Sequence, residues 1–301
     1  MKKNIIYMAA LTIMAAACSS EDETTVTSPE QSGKGEVKMI TETIRATNGD
    51  GATRADIDAS FAWSARDQIA VHVSGIVNGE NYCRYYTTDP LNGGSAAATF
   101  TVTYPAGCSR DAFAVYPATI VAEEATNYGQ SGAALDVTLP PSYTLAEVSG
   151  TTTPCPMIAD NTGSGWAFYQ LCGLLRLTVN NIPADATGIA VQFPNNKVNG
   201  TFPIASTVSP GSSVISTTTN PDEGEDLVTV TFDAGTTTAT VNIPLPTGDY
   251  TNVCITPVGS KKQVAAVSQI KAGGYTAERA KGRKLTTTMV ENKENYIIEK
   301  W

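Results

Sequence analysis

Along most of the chain apolar residues recur at every second position in short runs, and the runs are separated by Gly, Pro, Asn and Asp. A period of two is the mark of strands with one buried face. It predicts strands over Gln68–Val73, Tyr82–Thr87, Ala96–Tyr104, Ala112–Tyr116 and Ala134–Leu139, each rich in Val, Thr, Tyr or Phe. The second half repeats the texture over Trp166–Val179, Gly188–Phe193, Leu227–Phe232, Thr238–Pro244, Asn252–Pro257, Lys262–Val267 and Arg283–Val290. Gly259-Ser260 fits a hairpin turn between two of these. Glu36–Thr47 has strand composition with a slip of phase, Val37 and Met39 in one register and Ile40 and Ile44 in the other, which predicts a bulge or a change of sheet. No long amphipathic helix is predicted. Short strands with many turn signals point to an all-β fold of antiparallel sandwiches rather than a parallel α/β sheet.

The first residues break this pattern. Lys2 and Lys3 precede an apolar run from Ile5 to Ala17 in which only Thr12 is polar, and Ala15, Ala16 and Ala17 lead into Cys18. The run is shorter than the roughly twenty residues a spanning helix requires, so it reads as a cleaved lipoprotein signal peptide, residues 1–17, with Cys18 as the lipidated first residue. Two or more acyl chains on that cysteine would hold the protein stably on the outer membrane. Ser19-Ser20-Glu21-Asp22-Glu23 resembles an acidic tract that marks lipoproteins for surface display. Residues 18–35, dominated by Ser, Thr, Pro, Glu and Gly, are expected to form a flexible tether.

A chain of 301 residues, less the leader, suits two β domains of about 140 residues each. The turn-forming cluster Asp160-Asn161-Thr162-Gly163-Ser164-Gly165 is the expected boundary, giving an N-terminal sandwich over 36–162 and a C-terminal one over 163–301. A net charge of −9, more negative once Lys2 and Lys3 are removed, argues against nucleic acid as a partner. Five cysteines besides Cys18, at positions 83, 108, 155, 172 and 254, show no CxxC spacing. They read as core thiols rather than a disulfide framework. His72 is the single histidine and lies inside a strand, so histidine-based acid–base or triad chemistry has one candidate and no evident partner. Asp222-Glu223-Gly224-Glu225-Asp226 lacks calcium-loop spacing and reads as a solvated loop. Walker and Rossmann glycine spacings are absent. No cofactor, metal or enzymatic activity is expected.

Several motifs appear in a fixed order. They are Phe61-x-Trp63 with Asp67-x-Ile69-x-Val71, Phe113-Ala114-Val115-Tyr116-Pro117, and Phe168-x-x-Leu171-x-Gly173-Leu174-Leu175-x-Leu177. Val241-x-Ile243-Pro244-Leu245-Pro246-x-Gly248-x-Tyr250 and Ala280-Lys281-Gly282-Arg283-Lys284-Leu285 follow. With the lipoprotein signal, this order resembles the fimbrillin family of lipoprotein pilus subunits over roughly residues 36–290. The resemblance implies two tandem transthyretin-like antiparallel β-sandwiches, lipoprotein export, trimming by an Arg-specific protease and polymerisation by β-strand exchange with other fimbrial subunits. The protein would then be a structural subunit or adhesin of a surface fimbria, touching a host or bacterial ligand. The alternative is a surface glycan-binding lipoprotein of a nutrient-uptake system, and a hydrolase is a weaker third.

Two further sites follow from that resemblance. Arg45 and Arg54 bracket the turn Asn48-Gly49-Asp50-Gly51 and are the candidate cleavage sites, Arg54 having the less strand-like flanks; both also read as ordinary surface arginines. The apolar-rich tail Tyr296-Ile297-Ile298-Glu299-Lys300-Trp301, set off by polar residues, is the candidate donor strand, with Ile297 and Trp301 on one face and Tyr296 and Ile298 on the other. It reads equally as the last strand of its own domain.

Overall fold

Alternating apolar residues build sheets that must cover one face, and among the described residues three separate cores do so. The computed structural model describes residues 37–50, 62–95, 97–121, 134–149, 155–161, 165–205, 210–214, 216–217, 224–270 and 274–291. In chain order the strands are β1 (Met39–Asn48), β2 (Ala70–Val77), β3 (Glu80–Thr87), β4 (Ala97–Pro105), β5 (Cys108–Tyr116), β6 (Ala134–Leu139) and β7 (Ser142–Thr144). Then come β8 (Met157–Asn161), β9 (Trp166–Gln170), β10 (Gly173–Asn180), β11 (Gly188–Gln192), β12 (Gly200–Ala205), β13 (Leu227–Thr231) and β14 (Thr238–Leu245). Last are β15 (Gly248–Tyr250), β16 (Asn252–Val258), β17 (Val264–Gln269), β18 (Tyr275–Ala277), β19 (Gly282–Thr288) and β20 (Val290–Glu291). The only α-helix among the described residues is one turn, Leu145–Val148, closed by a capping box between Thr144 and Glu147. The fold is all-β.

The first core lies inside a seven-stranded sheet ordered β3-β2-β5-β8-β9-β1-β4. Its two ends curl toward each other, bringing the rings of Tyr86 on β3 and Tyr104 on β4 to 6.2 Å. At the centre Trp63 meets Phe100, Tyr116 and Phe168 edge to face, with centroids 5.0, 5.2 and 5.2 Å away. Trp63 is placed by reciprocal backbone bonds to Ser95. Just after it, Asp67 accepts the Ser64 N–H at 2.7 Å and the Tyr116 hydroxyl at 3.0 Å. Burial raises the Asp67 carboxyl above its ordinary value although both hydrogen bonds pull it down. Those contacts explain the spacing of Trp63 and Asp67-x-Ile69-x-Val71, which is core and turn chemistry; Phe61 lies outside the described residues.

The β6–β12 pair explains why Phe113–Tyr116 is apolar without interruption. Ala114 faces the first core, whereas Val115 belongs to a second cluster with Ile158, Tyr85, Leu135, Val137, Phe202 and Ile204. That cluster forms where the β6–β12 pair covers the outer face of the sheet. Strands buried on both faces lose their alternation.

The remaining strands form a sandwich. A three-stranded sheet, β14-β10-β19, packs on a six-stranded one, β20-β17-β16-β11-β13-β7. Leu175, Leu177 and Val179 of β10 meet Ile189, Val191, Val253 and Ile255 from the facing sheet, all fully buried. Tyr250 packs edge to face on Phe193 at 5.8 Å and donates its hydroxyl to the Pro246 carbonyl at 2.9 Å. Gly259 takes φ +76° in the turn joining β16 and β17, where a side chain would be strained and would meet Thr187.

Two features differ from the sequence expectations. The phase slip in Glu36–Thr47 is not a bulge: β1 pairs with β4 without interruption from Met39 opposite Pro105 to Thr47 opposite Ala97, and Met39 stays exposed while Ile40, Ile44 and Ala46 face the core. The register shift that does occur lies between Val71 and Val73 in β2–β5, beside the buried His72. The strands also do not sort at 162/163. β8 and β9 flank that position and pair with each other inside the first sheet, while β6 and β7 pair with β12 and β13 of the second half.

Candidate functional site

β1 is not an edge strand. It runs antiparallel to β4 along its length and parallel to β9 over Ala46–Asn48, and among the described strands it is the only ladder partner of β4. Its composition fits the place. Ile44 and Ala46 have no exposed surface and Ile40 packs against the same core. Thr41 and Thr103 share a 3.0 Å hydroxyl contact across the ladder on the other face.

Between Ile40 and Ile44 the inward position is Glu42, a charge where the alternation calls for an apolar residue. Its carboxylate lies 2.5 Å from Nε of Arg110 on β5, both side chains being only 14% exposed. The Arg110 guanidinium stands 6.0 Å from the ring centre of Trp166. Burial first, then the Glu42 carboxylate, raises the Tyr104 phenol above its ordinary range, so that hydroxyl stays protonated beside the pair. β1 thus contributes three apolar residues to the core and one charge that pairs with an arginine of another strand.

The end of β1 is pinned to the second half of the chain. Gly49 N–H donates to the Phe168 carbonyl at 2.7 Å. A Cβ at Gly49 would sit 2.6 Å from the Tyr169 ring, which explains the glycine. Asp50 accepts the Gln170 N–H at 2.6 Å and pairs with the guanidinium of Arg279, which lies 5.9 Å from the centre of the Tyr169 ring.

Of the residues singled out from sequence, Arg45 lies on the exposed face of β1 opposite Thr99, its backbone inside an unbroken ladder. Cys18, Arg54, Tyr296, Ile297, Ile298 and Trp301 lie outside the described residues. His72 is buried and stacks edge to face on Tyr85 at 5.0 Å, with Cys83 Sγ 3.6 Å from Nε2. In the acidic loop, the Asp226 carboxylate accepts from Gln192 and the Glu225 N–H donates to Asn199. Among the described residues no group of three His, Cys, Asp or Glu could hold a metal ion, and no helix is long and apolar enough to cross a membrane. Glu42, Arg110, Asp50 and Arg279 were not singled out from sequence. Only Glu42 carried a signal, as a charge in the inward phase of a strand.

No family model and no curated protein matches the chain. Among solved structures it is similar to a candidate cell adhesion protein from Bacteroides ovatus ATCC 8483, at 13% identity over 79% of this chain and 90% of that chain, TM-score 0.44. It is also similar to the tip fimbrial protein Mfa3 from Porphyromonas gingivalis with C-terminal truncation, at 15% identity over 80% of this chain and 81% of that chain, TM-score 0.28. A fimbrial protein from Bacteroides ovatus ATCC 8483 is similar at 10% identity over 80% of this chain and 46% of that chain, TM-score 0.32.

Proposed function

We propose that the chain is a structural subunit or adhesin of a surface fimbria, carried to the outer membrane as a lipoprotein on Cys18 and assembled by exchange of β1 for a strand of another subunit. The observation that carries this reading is the position of β1. It is the first described strand, it lies inside a sheet, and its removal would leave β4 without its ladder and β9 with a bare edge. Unpaired edges over an open apolar core invite a replacement strand.

Release of β1 needs a cut on its C-terminal side. Arg45 is an unfavourable site because its backbone is engaged in the ladder, whereas a cut after Arg54 would spare the strand itself and free it whole. Assembled protein from the cell surface should therefore begin at Ala55 by mass spectrometry. An assembled subunit that still begins at Cys18 would remove strand exchange from the account. Cys18→Ala should abolish acylation and membrane attachment, since anchoring depends on about 0.8 kcal/mol per buried CH₂. Detergent partitioning and palmitate labelling measure it.

The tail supplies a matching donor. The slot takes an apolar residue, then an acid, then an apolar residue on alternate positions, as Ile40, Glu42 and Ile44 do. Ile297, Glu299 and Trp301 have the same pattern, and it reads alike in either direction. Trp301 is too large for the fully enclosed site of Ile44. The better fit reverses the strand, with Ile297 in the Ile44 site, Glu299 facing Arg110, and Trp301 in the half-open site of Ile40. Tyr296, Ile298 and Lys300 then face outward.

A further inference from the structure

We propose that Cys155 and Cys172 are joined by a disulfide in the exported protein. The pairing register carries the assignment. β8 and β9 run antiparallel, with Asn161 opposite Trp166 and Met157 opposite Gln170. The Leu171 N–H continues this ladder by donating to the Pro156 carbonyl at 2.8 Å. One step further the same register sets Cys155 against Cys172. Because the Pro156–Leu171 pair carries the hydrogen bond, the cysteines occupy the next, non-hydrogen-bonded pair, where facing side chains approach most closely and Cα atoms are typically about 4.5 Å apart. That spacing lies within the range of roughly 4.4–6.8 Å that disulfides span. The two Sγ atoms are 3.0 Å apart, and both residues have no exposed surface.

The other cysteines have no such relation. Cys83 on β3 and Cys108 on β5 are separated by β2, which pairs with both, and Cys254 lies on β16 in the sandwich.

The chemistry balances as thiol–disulfide exchange with a disulfide-bearing oxidant, either a small-molecule disulfide or a thiol–disulfide oxidoreductase met on the export route. One cysteine thiolate attacks the oxidant's disulfide and expels a thiolate. The second cysteine thiolate then attacks the mixed disulfide and expels the other. Two protons and two electrons leave with the oxidant as two thiols. The apolar shell of Leu171, Ile158, Val137 and Phe202 seals both sulfurs in the folded protein, so exchange takes place during folding, before that shell closes. The resulting bond ties the open end of the β8–β9 hairpin directly ahead of Gly173, where β10 and the sandwich begin. On the strand-exchange reading, it would also brace β9 while β1 is absent; the disulfide itself does not depend on that reading.

The test is to refold the full chain in a reduced and oxidised glutathione buffer, block thiols with N-ethylmaleimide, and map non-reduced peptides by mass spectrometry. The expected result is a Cys155 peptide linked to a Cys172 peptide with the loss of two hydrogens, the remaining cysteines carrying maleimide. Reduction of this form should lower Tm by roughly 5–10 °C. The Cys155→Ala/Cys172→Ala variant should give the same Tm with and without dithiothreitol. Maleimide on both Cys155 and Cys172 after unfolding of the oxidised preparation, or a link from either to a different cysteine, would overturn the assignment.

Discussion

Trp63→Ala is expected to cost about 3–5 kcal/mol, the range for truncating a buried Phe or Trp to alanine. Its ring is 1% exposed and holds together three strands that are distant in sequence, through Phe100 on β4, Tyr116 on β5 and Phe168 on β9. The hole would open in the core that β1 covers. Against a typical total stability of roughly 5–15 kcal/mol, that loss removes a large share of the fold's margin. Trp63→Phe keeps an aromatic ring against the same neighbours and should cost clearly less. Denaturant unfolding with near-UV circular dichroism measures both, and a loss below about 1 kcal/mol for the alanine variant would show that the ring is not the centre of this core.

Glu42→Leu should have the second-largest effect, although leucine suits the inward phase of β1 better than glutamate does. Removing one member of a buried ion pair costs roughly 3–5 kcal/mol, because the partner charge stays buried. Here both side chains keep some exposure, so solvent screening brings the expectation to about 2–3 kcal/mol. Glu42→Leu/Arg110→Met removes both charges and should recover most of that loss, since a well-packed apolar pair can replace a buried ion pair. A single variant as stable as the parent would mean that Arg110 makes no demand on the strand in the β1 site, and the match to Glu299 would lose its basis.

The strands themselves were largely legible. Ala134–Leu139 is predicted and observed with the same limits, because alternation and turn residues bound it on both sides. Trp166–Val179 is read as one strand but forms β9 and β10, since the turn between them is Leu171-Cys172, both fully buried and without any turn-forming residue. β12 went unseen because Pro203 interrupts it. Pro203 is exposed on a strand that pairs on one side only, with β6, which is where proline is tolerated. The interleaving of β6 and β7 with the second half depends on partners far along the chain, and no local pattern records it.

At the site, the core phase of β1 could be read from Ile40 and Ile44. Its neighbours could not. The Asp50–Arg279 pair spans 229 positions, and Arg110 meets Glu42 only because β1 and β5, not adjacent in the sheet, face each other across the curled interior. Sequence order carried the resemblance to pilus subunits, and folding brought Arg110 opposite Glu42.

The central claim is that β1 can be exchanged for the tail of another copy. The direct measurement compares gel ladders of the chain trimmed by an Arg-specific protease, with and without Tyr296–Trp301. The account predicts heat-sensitive multimers from the intact chain, and a truncated chain that stays monomeric while its thermal unfolding is little changed. Ladders of equal strength from both chains, or a truncation that unfolds the monomer, would contradict it.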